Sequence, residues 1–312
     1  MAVHYLLLVT GLLLLFISGK FLVESSVAIA TYFRIPTMII GLTIVAFGTS
    51  SPELLVSLQA ALRGFPEIAV GNVVGSNIAN ILLVLALTAI IFPVAVPVKS
   101  LKRDWTIMMF VSVLFFVLIL DEKFSRWEGL ILFVLLVIYI IYSILDVRKE
   151  NSRNGVMPEK KINAKWWVAA VIFLVSVAGL AYGADLFVRK AALIAEALGI
   201  SQRVISVSMV AVGTSIPELA TSVIAAVKKE TGISLGNILG SNLMNLVSVI
   251  GLTGLIAPIN VEHKLAFFDT PWMLGTALLL LVLMVVPPAL KITRWKGTLM
   301  LLSYLLYLYL IF

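Results

Sequence analysis

The sequence predicts an all-α integral membrane protein with ten transmembrane helices, arranged as two five-helix repeats of inverted topology. Of the 312 residues, 61% are hydrophobic and only 12% are charged, compared with roughly a quarter charged in soluble domains. The mean hydropathy of +1.11 is too high for a soluble fold of this length. Because the apolar runs are continuous rather than alternating with period two, helices are expected in place of strands.

The apolar windows divide evenly between two halves of the chain. Each is long enough to cross a bilayer, since about 20 helical residues span its hydrocarbon core. The predicted spans are 2–18, 36–62, 67–92, 105–120, 129–145, 166–184, 203–227, 231–258, 270–290 and 297–312. A first five-helix repeat is therefore expected at 1–145, a polar linker at 146–165 and a second repeat at 166–312. Two copies of an odd-numbered unit enter the membrane from opposite sides, so the repeat is inverted.

Two segments recur in the two halves, in the same order and with the same spacing between them. Residues 45–53 read VAFGTSSPE and residues 210–218 read VAVGTSIPE. Downstream, GNVVGSNIAN at 71–80 returns as GNILGSNLMN at 236–245. This internal duplication supports the two-repeat prediction.

The distribution of basic residues predicts the orientation. If the N-terminus lies outside, the cytoplasmic loops hold most of the 23 Lys and Arg residues, among them Lys296 before the last span. The net charge of +7 then reflects a basic cytoplasmic face rather than nucleic-acid binding. We therefore expect a multi-pass cell-membrane protein with both termini outside and the 146–165 linker in the cytoplasm.

Each copy of the first segment places one carboxylate, Glu53 or Glu218, deep in an apolar run. Apart from residues at or near span ends, namely His4, Glu67, Asp185 and Arg203, the predicted spans contain no other acidic or basic side chain. A carboxylate at mid-membrane costs at least a few kcal/mol and usually marks an ion pathway. A protonated acid that links two helices is the alternative interpretation, but the recurrence at matched positions favours a cation pathway.

A proline precedes each acid, at Pro52 and Pro217, and a glycine lies four residues before each proline. Proline has no N–H and its ring clashes with the carbonyl at position i−4. Each helix is therefore expected to break between the glycine and the proline, which would free backbone carbonyls in 46–50 and 211–215. Carbonyls, hydroxyls and carboxylates are hard oxygen ligands that suit Ca²⁺ or Na⁺.

The second repeated segment combines small residues with amides. The glycine pairs Gly71/Gly75 and Gly236/Gly240 allow close helix approach. The polar residues that follow on shared helix faces are Ser76, Asn77 and Asn80, and Ser241, Asn242 and Asn245. These side chains could complete a coordination shell opposite the glutamates. Hydrogen bonding between helices is the competing interpretation for at least one asparagine in each half.

At these residues the chain resembles the sodium/calcium exchangers of the cation/Ca²⁺ exchanger superfamily, which carry two alpha-repeats. The family's Gly-Thr-Ser-x-Pro-Glu motif stands at 48–53 and 213–218, and its Gly-Asn-x-x-Gly-Ser-Asn motif at 71–77 and 236–242. The resemblance implies a secondary active antiporter that exchanges Na⁺ for Ca²⁺ by alternating access, with net charge movement.

The resemblance also implies an ion site drawn from both repeats. Ca²⁺ would be held by Glu53 and Glu218 with the backbone carbonyls of Thr49 and Thr214. The Na⁺ sites would use Ala46, Thr49, Ser50, Glu53 and Ser76, and the matching Ala211, Thr214, Ser215, Glu218 and Ser241, with Asn80 and Asn245 lining the centre. The expected partners are the two transported ions and the lipid bilayer, with no cofactor and no obligate protein partner.

Three positions refine these expectations. Asn245 occupies a position where potassium-dependent relatives rely on an acid, so transport is expected to be independent of K⁺. Ser51 could add a hydroxyl to the site. Lys20, where the second half has Asp185, is expected at a helix end, where it would affect packing or gating.

Two other functions remain open. An H⁺/Ca²⁺ antiporter would use the same glutamates as proton carriers, and a cation channel would not be driven uphill by a counter-ion. An enzyme is not expected, because the apolar runs contain no His–Asp or Ser–Lys arrangement and the chain has only two histidines.

Overall fold

The computed structural model describes residues 2–153, 165–198 and 213–311, and these residues are almost entirely helical. The α-helices of the first half are α1 (Ala2–Tyr32), α2 (Thr37–Ile40), α3 (Ala46–Thr49), α4 (Ser51–Leu62), α5 (Glu67–Ala79), α6 (Ala86–Ile91), α7 (Trp105–Leu118) and α8 (Arg126–Arg153). Those of the second half are α9 (Trp166–Ala197), α10 (Ile216–Val227), α11 (Thr231–Met244), α12 (Gly251–Ile256), α13 (Thr270–Val285) and α14 (Arg294–Ile311). The prediction of an all-α protein is confirmed.

Short π-helical turns and strands connect these helices. The π-helical turns are Gly41–Val45, Asn80–Leu85, Ser100–Asp104, Asn245–Ile250 and Leu265–Asp269. The strands are β1 (Val94–Ala95), β2 (Lys123–Phe124), β3 (Ile259–Asn260) and β4 (Lys291–Ile292). The antiparallel pairs β1–β4 and β2–β3 each join one half of the chain to the other.

The secondary structure repeats in register with the sequence. Helix α4 corresponds to α10, and the π-helical turn at Asn80–Leu85 corresponds to the turn at Asn245–Ile250. The π-helical turn at Ser100–Asp104 corresponds to the turn at Leu265–Asp269. Where the structure describes both halves, they are therefore built from the same succession of elements.

Six described helices are long and apolar enough to cross a membrane, or seven if one bent pair counts as a single span. The bent pair joins Thr37–Thr49 to Ser51–Leu62 at an angle of 42°. Its break falls at Ser50, between Gly48 and Pro52, as the sequence predicts. The corresponding break in the second half lies partly outside the described residues.

The first span is longer than predicted. Helix α1 continues through Lys20 to Tyr32, so the prediction that Lys20 lies at a helix end was wrong. The reason is that Lys20 interrupts the apolar run without interrupting the helix. Its side chain is exposed, while Leu22 and Val23 continue a buried face. The equivalent helix α9 likewise continues past residue 184 to Ala197.

The central helices of the bundle carry the second repeated segment. Within the most apolar stretch of each span, 89% is buried in Thr231–Ile256 and 72% in Glu67–Ile91, whereas only 22% is buried in Arg126–Asp146. Glycines allow this close packing, since a Cβ at Gly236 would lie 2.6 Å from the Met38 carbonyl oxygen. The polar residues of this segment are thereby placed in the interior.

Lys296 was predicted to lie in a cytoplasmic loop, but it lies inside a helix. It is fully buried in the first turn of α14. Its Nζ donates to the carbonyl oxygens of Val286, Pro288 and Lys291 at 2.7, 2.8 and 2.9 Å. The lysine therefore stabilises the connection before α14 and does not stand free in a loop.

Candidate functional site

The two repeated acids lie at equivalent helix starts. Glu53 is in the first turn of α4 and Glu218 is in the first turn of α10, and both are fully buried. Pro52 and Pro217 fit these first turns because the missing N–H would have no partner there in any case. A carboxylate in the first turn also interacts favourably with the helix dipole. The position at a helix start thus helps the apolar interior to accommodate both acids.

The two carboxylates differ in their hydrogen bonds. Glu218 Oε1 accepts from the Ser50 hydroxyl at 3.1 Å and from the Ser241 hydroxyl at 3.4 Å. Glu218 Oε2 and both carboxylate oxygens of Glu53 have no hydrogen-bond partner in the described part of the chain. Ser50, which bonds to Glu218, lies only three residues before Glu53 in the chain. Buried carboxylate oxygens without donors are costly, so this pair is suited to bind a cation or a proton.

Hydroxyl groups of one half contact hydroxyl groups of the other half in two equivalent pairs. Thr49 of the first half lies 3.4 Å from Ser241 of the second, measured between hydroxyl oxygens. The equivalent pair, Ser76 and Thr214, lies 3.2 Å apart. The first motif of each half therefore faces the second motif of the other half. The structure brings these four predicted residues together beside the acids.

The predicted central residues Asn80 and Asn245 are also fully buried. Asn80 Nδ2 donates to Asn242 Oδ1, and Asn245 Nδ2 donates to Asn77 Oδ1, both at 3.1 Å. The side-chain oxygens of Asn80 and Asn245 have no hydrogen-bond partner in the described chain. Hydrogen bonding between helices, the competing interpretation for these asparagines, is therefore present in both halves.

The prediction of freed carbonyls was wrong for Ala46 and Ser50. The Ala46 carbonyl accepts from the Ser50 N–H at 2.9 Å and from the Thr49 hydroxyl at 3.3 Å. The Ser50 carbonyl accepts from Leu54 N–H at 3.2 Å, and Ser215 likewise pairs with Leu219. Proline removes only the donor for the carbonyl four residues before it, so the neighbouring carbonyls keep theirs.

Three other predicted positions have different outcomes. The Ser51 hydroxyl donates to the Phe47 carbonyl within its own helix at 2.8 Å. The expectation that Ser51 adds a ligand was wrong, because its place on the helix directs it to the preceding turn. Ala211 lies outside the described residues. Ser215 is buried, and its hydroxyl has no partner among the described residues.

A second layer of amides was not predicted as part of the site. Asn72 Nδ2 donates to Ser57 Oγ at 3.1 Å, and Asn237 Nδ2 donates to Ser222 Oγ at 3.1 Å. Asn237 Oδ1 also accepts from the Thr49 hydroxyl at 3.0 Å. The signal was available, because both asparagines follow the first glycine of the repeated segment.

Comparison with known proteins identifies the family. A family model described as "Sodium/calcium exchanger protein" matches residues 3–145 and 168–312, one segment in each half of the chain. The chain belongs to the sodium/calcium exchanger family. The resemblance seen in the repeated motifs is thereby confirmed, and the family is one of membrane transporters rather than enzymes.

Similarity to individual proteins extends over most or nearly all of the chain. The sodium/calcium exchanger MaX1 of Methanosarcina acetivorans is 33% identical, and the alignment covers 99% of both chains. The inner membrane protein YrbG of Escherichia coli is 35% identical over 82% of this chain and 81% of its own. The solved structure of the sodium-calcium exchanger NCX_Mj, soaked with zero Na⁺ and Ca²⁺, superposes with a TM-score of 0.84 at 32% identity, covering 99% of each chain. The similarity to this solved exchanger therefore covers nearly the whole length of the chain.

Proposed function

We propose that this protein is a secondary active antiporter that exchanges Na⁺ for Ca²⁺ by alternating access, with net charge movement and without a requirement for K⁺. The observation that carries the proposal is the pair of fully buried carboxylates, Glu53 and Glu218, in the first turns of equivalent helices. Three of their four oxygens have no hydrogen-bond partner within the described chain. Such a pair needs cationic charge to be stable in a membrane interior.

The charge of this pair makes Na⁺ and Ca²⁺ competitors. Two carboxylates carry a charge of −2, which one Ca²⁺ or a few Na⁺ neutralise but which cannot stabilise both sets of ions together. The surrounding hydroxyl and amide oxygens are neutral ligands that can coordinate additional Na⁺. We therefore propose that more than two Na⁺ replace one Ca²⁺. Exchange of more than two Na⁺ for one Ca²⁺ moves net charge across the membrane.

The proposed ligands follow the two halves of the chain. Glu53 and Glu218 bind Ca²⁺ together with the backbone carbonyls of Thr49 and Thr214. The Na⁺ ligands are Ala46, Thr49, Ser50, Glu53 and Ser76 in the first half, and Ala211, Thr214, Ser215, Glu218 and Ser241 in the second. Because the Ala46 carbonyl already accepts two hydrogen bonds, its use as a ligand requires the Thr49 hydroxyl to turn away.

The proposed architecture has ten spans in two inverted repeats, 1–145 and 166–312, with the 146–165 linker in the cytoplasm. The recurrence of the same elements in both halves supports it. The chain has no cysteine, so a single cysteine introduced in 151–156 is a clean probe. An impermeant thiol reagent should label it only from the cytoplasmic side, and labelling from outside would contradict the orientation.

The same carboxylates could carry protons, so H⁺/Ca²⁺ antiport is the second candidate. Unpartnered buried carboxylate oxygens favour protonation as well as cation binding. The deciding experiment is Ca²⁺ uptake into proteoliposomes loaded with Na⁺, Li⁺, K⁺ or choline, with the pH gradient clamped.

Each mechanism gives a distinct result in this assay. Na⁺/Ca²⁺ exchange requires concentrative uptake only in Na⁺-loaded vesicles, without added K⁺. Uptake driven by a pH gradient in the absence of Na⁺ would identify the proton antiporter. A channel would equilibrate Ca²⁺ without concentrating it against its electrochemical gradient, whichever ion is loaded.

A further inference from the structure

We propose that Asn77 and Asn242 are positioning residues that hold Asn80 and Asn245 with their side-chain oxygens available to the transported cation. We call these four residues the amide clasp. The inference rests on the proposed function, because it assigns a role within the same ion site. It is carried by the direction of the hydrogen bonds that cross between the two halves.

The orientation of Asn77 is fixed by a backbone group. Asn77 Nδ2 donates to the Asn242 backbone carbonyl at 3.1 Å, and a carbonyl can only accept. Asn77 must therefore present Oδ1 to Asn245, 3.1 Å away. Asn245 in turn must present its Nδ2 to Asn77. The Asn245 side-chain oxygen is thereby turned away from the clasp.

In the second half of the clasp, Asn242 presents its oxygen to Asn80, and its nitrogen faces a sulfur rather than a backbone carbonyl. Asn80 Nδ2 donates to Asn242 Oδ1 at 3.1 Å. Asn242 Nδ2 approaches the Met108 sulfur at 3.8 Å, as Asn77 Nδ2 approaches the equivalent Met273 sulfur at 3.6 Å. A thioether sulfur is an acceptor, although a weak one, so it favours the amide nitrogen over the oxygen at this place.

The result is a pair of buried amide oxygens that no protein donor occupies. The side-chain oxygens of both Asn80 and Asn245 lack partners in the described chain, although both residues are fully buried. Asn245 lies one helical turn beyond Ser241, whose hydroxyl donates to Glu218 Oε1 at 3.4 Å. The free oxygen of Asn245 is thus placed on the helix face that borders the acids.

The clasp matters because an asparagine can present either end of its amide. An amide turned the other way round would offer an N–H group to a cation and repel it. By binding one N–H of each amide nitrogen, the clasp fixes which end of Asn80 and Asn245 faces the partner asparagine and leaves the side-chain oxygens unoccupied. Groups that orient metal ligands in this way typically affect metal affinity by about 10- to 100-fold.

A double-mutant cycle with Asn77→Leu and Asn245→Leu tests the inference. Leucine is similar in shape to asparagine but cannot orient a neighbouring amide. Asn77→Leu should raise the half-saturating Ca²⁺ concentration about tenfold, while the maximal rate per folded protein is largely kept. In an Asn245→Leu background, Asn77→Leu should cause little further rise, because the oriented amide is already absent. Ca²⁺-induced thermal stabilisation of the purified variants provides a second measure of binding.

A buried polar side chain outside the clasp provides the control. Thr88 is fully buried and donates to the Val84 carbonyl of the preceding turn, at 2.7 Å. Thr88→Val should leave the half-saturating concentration unchanged, whatever its effect on protein yield.

The outcomes separate the inference from the proposed function. An unchanged half-saturating concentration in Asn77→Leu, or effects that multiply fully in the double mutant, would overturn the clasp. A wild type that is stabilised by Ca²⁺ but does not exchange it for Na⁺ would overturn the proposed function, while the thermal shifts still test the clasp. A wild type that Ca²⁺ does not stabilise would overturn both.

Discussion

The Ser50 hydroxyl of the first half donates to the Glu218 carboxylate of the second half at 3.1 Å. The equivalent residues with the halves exchanged, Ser215 and Glu53, make no such bond, and neither has a side-chain partner in the described chain. Two acids that the sequence makes equivalent are therefore held differently. Glu53 depends more strongly on a bound cation or proton, whereas hydroxyl donors already stabilise Glu218.

Neutralising either acid should abolish transport. In Glu53→Gln or Glu218→Gln one negative charge remains to face a divalent ion, which should weaken Ca²⁺ binding by several kcal/mol, or more than about 100-fold. Na⁺-driven Ca²⁺ flux in proteoliposomes measures this loss. Glu67→Gln, at an exposed position in the first turn of α5, is the control and should transport normally. Near wild-type exchange by either site variant would show that the acids are not the ligands.

The same two variants should differ in stability when no cation is present. Glu53→Gln removes a buried carboxylate without donors, whereas Glu218→Gln also weakens charged hydrogen bonds worth about 1.5–3 kcal/mol. In ion-free buffer at alkaline pH, Glu53→Gln should therefore have the higher melting temperature, by roughly a few degrees. Thermal unfolding followed by circular dichroism measures this difference. An equal or larger stabilisation by Glu218→Gln would show that the hydrogen bonds of the two acids do not differ in solution.

Close packing beside the site should not tolerate a methyl group at Gly240. A Cβ there would lie 2.5 Å from the Leu42 carbonyl oxygen and 2.7 Å from Ala46 Cβ. Gly240→Ala should separate α11 from the first broken helix and destabilise the protein by about 1–3 kcal/mol, with loss of flux. Gly275→Ala is the matched control, since no described atom lies within 4 Å of its added Cβ. Equal stability of the two variants would contradict the observed helix approach.

The neutral side chain of Asn245 should make transport independent of K⁺. In Asn245→Asp, three carboxylates share the cavity, which favours an additional proton or monovalent cation beside Ca²⁺. An ionised aspartate also cannot donate to Asn77 Oδ1, so the clasp is lost on that side unless the new carboxyl is protonated. Flux measured with and without K⁺ at two pH values should show a stronger pH or K⁺ dependence in the variant. A K⁺ requirement in the wild type, or identical behaviour of both proteins, would contradict the role given to Asn245.

The positions of the acids could be predicted from the sequence, but several of their contacts could not. Recurrence and hydropathy identify Glu53 and Glu218, because a repeated charge in an apolar run is a local pattern. The bond between Asn77 and Asn245 depends on how two distant helices cross, which no local pattern specifies. Hydropathy windows average the buried and exposed faces of a helix, so they do not show which face continues past a single charged residue. They therefore ended the first span before Lys20, although the buried face continues through Leu22, and they placed the buried Lys296 in a loop.

Competition between Na⁺ and Ca²⁺ for the two buried acids is the most direct test of the account. Equilibrium binding of radioactive Ca²⁺ to the purified protein would be measured at increasing Na⁺, with choline replacing Na⁺ to hold ionic strength and with pH fixed. We expect Na⁺ to displace all bound Ca²⁺ along a curve steeper than for a single competing ion, and Glu53→Gln to bind no Ca²⁺ over the same range. Ca²⁺ that stays bound at saturating Na⁺, or that binds Glu53→Gln with wild-type affinity, would contradict it.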